Sequence, residues 1–132
     1  YGDGVCDVDL NALLKFHKEH GRIATMTTVN IAQMKGVLDI TQDNVVKSFR
    51  EKDEADASLI NGGFMVLNPE IFNYLEDDTT VFEKEPLQRL AAEGQLMSFH
   101  HNGFWQCMDT QREMKKLEEL WQSGHAPWKI WE

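Results

Sequence analysis

Cysteine and proline are scarce in this chain, basic residues are outnumbered by acidic ones, and no long apolar run occurs. The two cysteines, Cys6 and Cys107, form no Cys-x-x-Cys pair, which excludes a disulfide framework or a cysteine-rich zinc module and leaves buried free thiols as the expectation. Three prolines and nine glycines in 132 residues, with no repeat, argue against a low-complexity chain or a linker. Nothing approaches the roughly 18 consecutive apolar residues of a membrane span, and no charged-then-apolar leader is visible. Only 13 basic side chains stand against 22 acidic ones, and the resulting charge of −9 disfavours a sequence-blind nucleic-acid surface. The expectation is a cytoplasmic protein with no nucleic-acid partner and no membrane, in which any phosphorylated ligand is gripped locally by a few cations or a metal.

What is present suffices for one domain: 42% of the residues are hydrophobic. "DLNALLKFHKEHG" places Leu10, Leu13, Leu14 and His17 at helical spacing, with Asp7 or Asp9 to cap the start and Gly21 to end it. "RIATMTTV" reads as a strand, and "GVLDI" and "NVVKSFRE" flank the turn-forming "TQDN" as a hairpin. "LINGGFMVL" reads as one central strand whose Gly62 and Gly63 would weaken it unless backbone or ligand must come close. "NPEIFNYL" opens a helix with Asn68 as cap and Pro69 behind it; Thr80 and Glu83 signal a second start that Pro86 breaks or restarts. "QLMSFHH" and "FWQC" are short strands, and "TQREMKKLEELWQSG" is a helix with Thr110 and Glu113 as a capping box and Met114, Leu117 and Trp121 as its buried stripe. The order predicts an α/β fold with a mixed sheet. It opens on a turn and a helix, so a strand is expected ahead of Gly2 and the chain reads as a fragment.

Asp3 lies between Gly2 and Gly4, on backbone free to turn sharply, which suits a hard cation such as Mg²⁺ and equally suits an ordinary turn aspartate. Asp109 falls where a strand passes into a helix, a place for a ligand or a cap. Asp3 and Asp109 are far apart in sequence, so only the fold can make them neighbours. Lys52 follows strand residues and could reach a phosphate, Glu51 could accept sugar hydroxyls, and Asn61-Gly62-Gly63 could admit a flat polar ligand; a solvated charged loop is the plainer reading of residues 50 to 54. Adjacent His100 and His101 face opposite ways on a strand, and His17 and His20 lack a third ligand, so surface or capping roles are expected of these histidines. Trp128 and Trp131 read as a docked terminal segment.

Taken in order and spacing, "YGDGVCDVDLNALLKFHKEHG", "GVLDI", "SFREK", "INGGFMVLNPEIFNYL", "EPLQRLAAEGQLMSFHHNGFWQCMDT" and "LEELWQSGHAPWKIWE" resemble the C-terminal half of the bacterial glucose-1-phosphate cytidylyltransferases, a branch of the sugar-phosphate nucleotidyltransferases. The resemblance covers the whole chain. It implies the C-terminal part of a Rossmann-like nucleotide-diphospho-sugar transferase fold. It also implies Mg²⁺ held by Asp3 and Asp109, Gly2 against the nucleotide or sugar, Lys52 and Glu51 at the sugar phosphate, and Gly36, Asn61 and Gly62 near the sugar. Two departures stand out: Asp53 occupies the place of a family proline, and "IAQMKG" replaces an arginine-bearing segment.

The implied reaction joins CTP and glucose 1-phosphate into CDP-glucose and pyrophosphate, in line at the α-phosphorus, in a homo-oligomer that feeds surface-polysaccharide synthesis. The family's phosphate-cradling Gly-x-Gly-Thr-Arg loop has no counterpart in these 132 residues, so the chain alone is expected to be inactive. Two other expectations are a sugar-phosphate-binding or oligomerisation module, and a nucleotidyltransferase for another sugar or base.

Overall fold

The computed structural model describes residues 1–30, 37–40, 44–50 and 59–132. Its elements run β1 (Gly4–Cys6), α1 (Leu10–His20), β2 (Ala24–Asn30), β3 (Val37–Ile40), β4 (Val46–Arg50), β5 (Leu59–Asn61), β6 (Val66–Leu67), a 3-10 helix (Pro69–Tyr74), α2 (Glu85–Ala92), β7 (Leu96–His100), β8 (Trp105–Cys107) and α3 (Gln111–Gln122). The α/β class and mixed sheet expected from the sequence are present. β2 is the centre: β7 runs parallel along one edge, while β5 and β6 share the other, both antiparallel. β3 pairs with β5 and β4 with β3, which continues the sheet to the order β4-β3-β5-β2. β1 and β8 form a separate two-stranded ladder with Gly4 opposite Cys107 and Cys6 opposite Trp105.

The alternation of side chains along β2 sets the layers. Ala24 and Met26 join the main core with Leu87, Leu90 and Ala91 of α2, Leu96 of β7, Val46 and Ile71. Burying a leucine such as Leu87 or Leu90 contributes about 1.5–3 kcal/mol. Thr25 turns to the opposite face, towards α1, and farther along that face Val29 packs with Ile60, Trp105 and Cys107 in a smaller core. The buried threonines of β2 are all hydrogen-bonded: Thr27 donates to the Phe64 carbonyl at 2.8 Å and Thr28 meets Ser98 at 2.8 Å. Among the described residues no buried side-chain nitrogen or oxygen lacks a partner, as a low-dielectric interior demands.

Several expectations are corrected. The strand read over "LINGGFMVL" is two strands, because Gly63 (φ 74°) and Phe64 (φ 44°) take left-handed backbone and the Asn61 side chain accepts the Gly63 N–H at 2.8 Å, a local turn that competes with the ladder. A strand follows Gly2: β1 is three residues long, too short for alternation to reveal. Asn68 does not cap with its side chain, which accepts from His17 and donates to the Arg22 carbonyl. Thr80 does not start α2; it accepts from the Glu76 and Asp77 amides, and the helix begins at Glu85 with Pro86 in its first turn, where a missing N–H costs nothing. Asp9 caps α1 through the Ala12 amide at 3.0 Å, and Gly21 ends it at φ 68°. Leu10 and Leu14 on α1, and Met114 and Trp121 on α3, are exposed rather than buried. His17, placed by spacing on the apolar stripe of α1 but expected to have a surface or capping role, is buried between Thr25 and Asn68.

Candidate active site

The β1–β8 ladder answers the question left by the distance in sequence between Asp3 and Asp109. Opposite Gly4 lies Cys107, and one step beyond the ladder the Met108 N–H donates to the Asp3 carbonyl at 2.8 Å. Asp3 and Asp109 thus flank one end of the ladder, two chain segments held in register by backbone bonds. Thr110 caps α3 by accepting the Glu113 N–H at 3.2 Å, while Glu113 Oε2 accepts the Asp109 N–H at 2.8 Å and the Cys107 thiol. Those donors, the Asp109 N–H first, hold the Glu113 carboxyl below its ordinary value. This is a variant of the expected capping box, the reach-back bond going to the residue before the cap. It fixes the backbone of Asp109.

Asn61 and Gly62 join the same end. Asn61 is buried, and its Nδ2 donates to the Tyr1 hydroxyl at 3.1 Å. Tyr1 covers Gly63, and burial first, then a hydrogen bond to Glu83, raises its phenol well above the ordinary value. No local pattern announces Tyr1, because it packs on the left-handed turn at Gly63. A Cβ on Gly62 would lie 3.2 Å from the Thr27 carbonyl oxygen, Trp105 Nε1 and Val29 Cγ1. The Trp105 indole donates to the Gly62 carbonyl at 2.8 Å, tying the small ladder to the main sheet. At Gly2 a Cβ would meet nothing within 4 Å. Gly36, Glu51 and Lys52 lie outside the described residues. The structure therefore gathers Gly2, Asp3, Asn61, Gly62 and Asp109 around one end of β1.

That arrangement brings two aspartate-bearing segments to the end of a ladder, and carboxylates are ligands that a hard divalent cation takes while phosphate oxygens complete its shell. The sequence signature of the Nucleotidyl transferase family matches residues 1–120: the chain belongs to that family. It is 52% identical over 132 residues to a glucose-1-phosphate cytidylyltransferase of Salmonella typhi, covering 100% of this chain and 51% of the relative. To a probable glucose-1-phosphate cytidylyltransferase of Bacillus subtilis it is 39% identical, covering 99% and 51%. The chain thus spans about half the length of these curated relatives. Among solved structures, HddC from Yersinia pseudotuberculosis superposes with a TM-score of 0.74 at 22% identity, over 91% of this chain and 52% of that one, which shows the fold. Among the described residues no helix is long and apolar enough to cross a membrane.

Proposed function

We propose that this chain supplies the metal-binding and sugar-facing half of a cytoplasmic glucose-1-phosphate cytidylyltransferase, its whole length being the C-terminal half of the catalytic domain. The observation that carries the reading is the β1–β8 register, which sets Asp3 and Asp109 at one ladder end; the identity with the Salmonella typhi enzyme supports the choice of substrates. Asp3 and Asp109 hold Mg²⁺, whose charge offsets that developing on the CTP phosphates. Lys52 offsets repulsion between the nucleotide and the glucose 1-phosphate oxygen that attacks it, and Glu51 accepts sugar hydroxyls. Gly36, Asn61 and Gly62 form the sugar side, with Gly2 leaving room for the ligand. The exposure of Trp121, Ile130 and Trp131 supports a homo-oligomer.

Pyrophosphate release from CTP and glucose 1-phosphate is the test, with the full-length protein. Asp3→Asn and Asp109→Asn are each expected to lower turnover by about a hundredfold or more with the circular dichroism spectrum unchanged. Near-normal turnover in both variants at limiting Mg²⁺ would overturn the metal role, and turnover by the 132-residue chain alone would overturn the reading of it as half a site.

A further inference from the structure

At the other end of the same ladder, away from Asp3 and Asp109, three chemically different ligands converge. Cys6 closes β1, Asp7 follows it, and His101 follows β7; the Cys6 sulfur, a carboxylate oxygen of Asp7 and a ring nitrogen of His101 all lie within 4.8 Å of one another. Neighbours on a strand point to opposite faces, yet these ligand atoms converge just past the last ladder pair, where the Asp7 N–H still donates to the Phe104 carbonyl at 3.3 Å. Two further observations single the cluster out. Gly103 leaves the space over the other two ligands: a Cβ there would lie 2.5 Å from Asp7 Oδ1 and 2.8 Å from His101 Cε1. Beside His101 is a cavity of about 120 Å³ that Asn30, Asn102 and Trp105 help to line, an entry for an ion or water.

We propose that Cys6, Asp7 and His101 form a binding site for a borderline-soft divalent cation, Zn²⁺ or Co²⁺, separate from the Mg²⁺ site proposed above. A thiolate, an imidazole and a carboxylate suit this class of ion and not Mg²⁺, which takes oxygen ligands. Bond lengths of about 2.0–2.3 Å in a tetrahedron put ligand atoms about 3.3–3.8 Å apart, so the trio closes on the ion by side-chain adjustments of about 1 Å. At present His101 Nε2 approaches Asp7 Oδ1 at 2.9 Å and the Phe104 carbonyl at 3.1 Å, and can donate to both. Binding replaces the Cys6 thiol proton, which leaves to solvent. Water fills the fourth position. The ion would join β1 to the end of β7.

The experiment is a Co²⁺ titration of the metal-free protein, followed by thiolate-to-cobalt charge-transfer absorption, with Zn²⁺ added to displace the cobalt. One equivalent is expected to bind with that band and to raise Tm by about 5 °C at saturation. Cys6→Ser is expected to abolish the band and His101→Gln to weaken binding at least about tenfold, while His125→Gln, at an exposed residue, leaves both unchanged. Cys107 also lies near two carboxylates, Asp109 and Glu113, so Cys107→Ser is the discriminating control. A band that survives Cys6→Ser and vanishes in Cys107→Ser would overturn the assignment, as would absence of stoichiometric binding by the folded wild-type protein.

Discussion

Single residues in this protein act through directed hydrogen bonds as much as through packing. The Arg22 N–H donates to His20 Nδ1 at 2.9 Å, so His20 carries its proton on Nε2 and donates to Thr25 Oγ1 at 2.6 Å. The Thr25 hydroxyl then donates to His17 Nδ1 at 2.7 Å, His17 Nε2 to Asn68 Oδ1 at 2.7 Å, and Asn68 Nδ2 to the Arg22 carbonyl at 3.1 Å. The ring begins and ends on Arg22 and fixes each tautomer. A second proton on His20 would face the Arg22 N–H. Burial first, then the neighbouring His17 and Arg22, hold His20 below its ordinary value. The unfolded chain therefore takes up this proton at higher pH than the native one. The His20 contribution is fully present above pH about 6.5 and is lost as the pH falls towards the native value. Urea midpoints at about pH 7.5 and pH 5.5 test this: His20→Gln is expected to show a smaller drop than wild type, and an equal drop would remove His20 from the acid response. Sequence spacing revealed His17 and His20 as a pair but not Thr25 and Asn68 as their partners, because those contacts come from other elements.

Elements were legible where capping and spacing agreed and illegible where a side chain had a better tertiary partner. Asp9 and Gly21 bound α1 as expected, whereas Asn68, just as good a cap by composition, is taken by the His17 ring. Thr80 and Thr110 carry the same local signal, with Glu three residues on, yet only Thr110 caps a helix, because the prolyl ring at Pro86 resets the start of α2. Of the three residues read as the buried stripe of α3 only Leu117 is buried, so the first turn leans on the Thr110 cap. Thr110→Ala is accordingly expected to cost about 1 kcal/mol and to fray the first turn of α3. Thr80→Ala should leave α2 intact. Urea unfolding with amide exchange in the two helices measures both, and equal fraying of α2 and α3 would contradict these assignments. The candidate site was legible as residue types, Asp3 and Asp109 among them. Their pairing followed from the family resemblance alone, since the three-residue partner strands that bring the two segments together carry too little periodicity to be read.

At the scale of the molecule the two cores divide the stability unevenly. The larger one joins α2 to the five-residue parallel pairing of β2 with β7 and includes Leu87, Leu90 and Leu96, all fully buried. The smaller one has four buried members among the described residues and ties the β1–β8 ladder to the sheet through Trp105 and its bond to the Gly62 carbonyl. A ladder of three residue pairs is marginal by itself, so β1 and β8 stay formed only while Trp105 remains docked. Opening should therefore occur in two stages, with the ladder detaching below the global free energy and β2 and β7 exchanging only on global unfolding. Native-state hydrogen exchange of the backbone amides measures this: those of β8 are expected to exchange at least about tenfold faster than those of Met26 and Met97, and Trp105→Phe, which loses the indole donor, should widen the gap. Equal protection in the two sheets would mean that they unfold as one unit. The aspartates proposed to hold Mg²⁺ lie at the end of the less stable part, so an ion that joins Asp3 to Asp109 would close the detachment route, and added Mg²⁺ should slow exchange at Gln106 and Cys107 while leaving β7 unchanged.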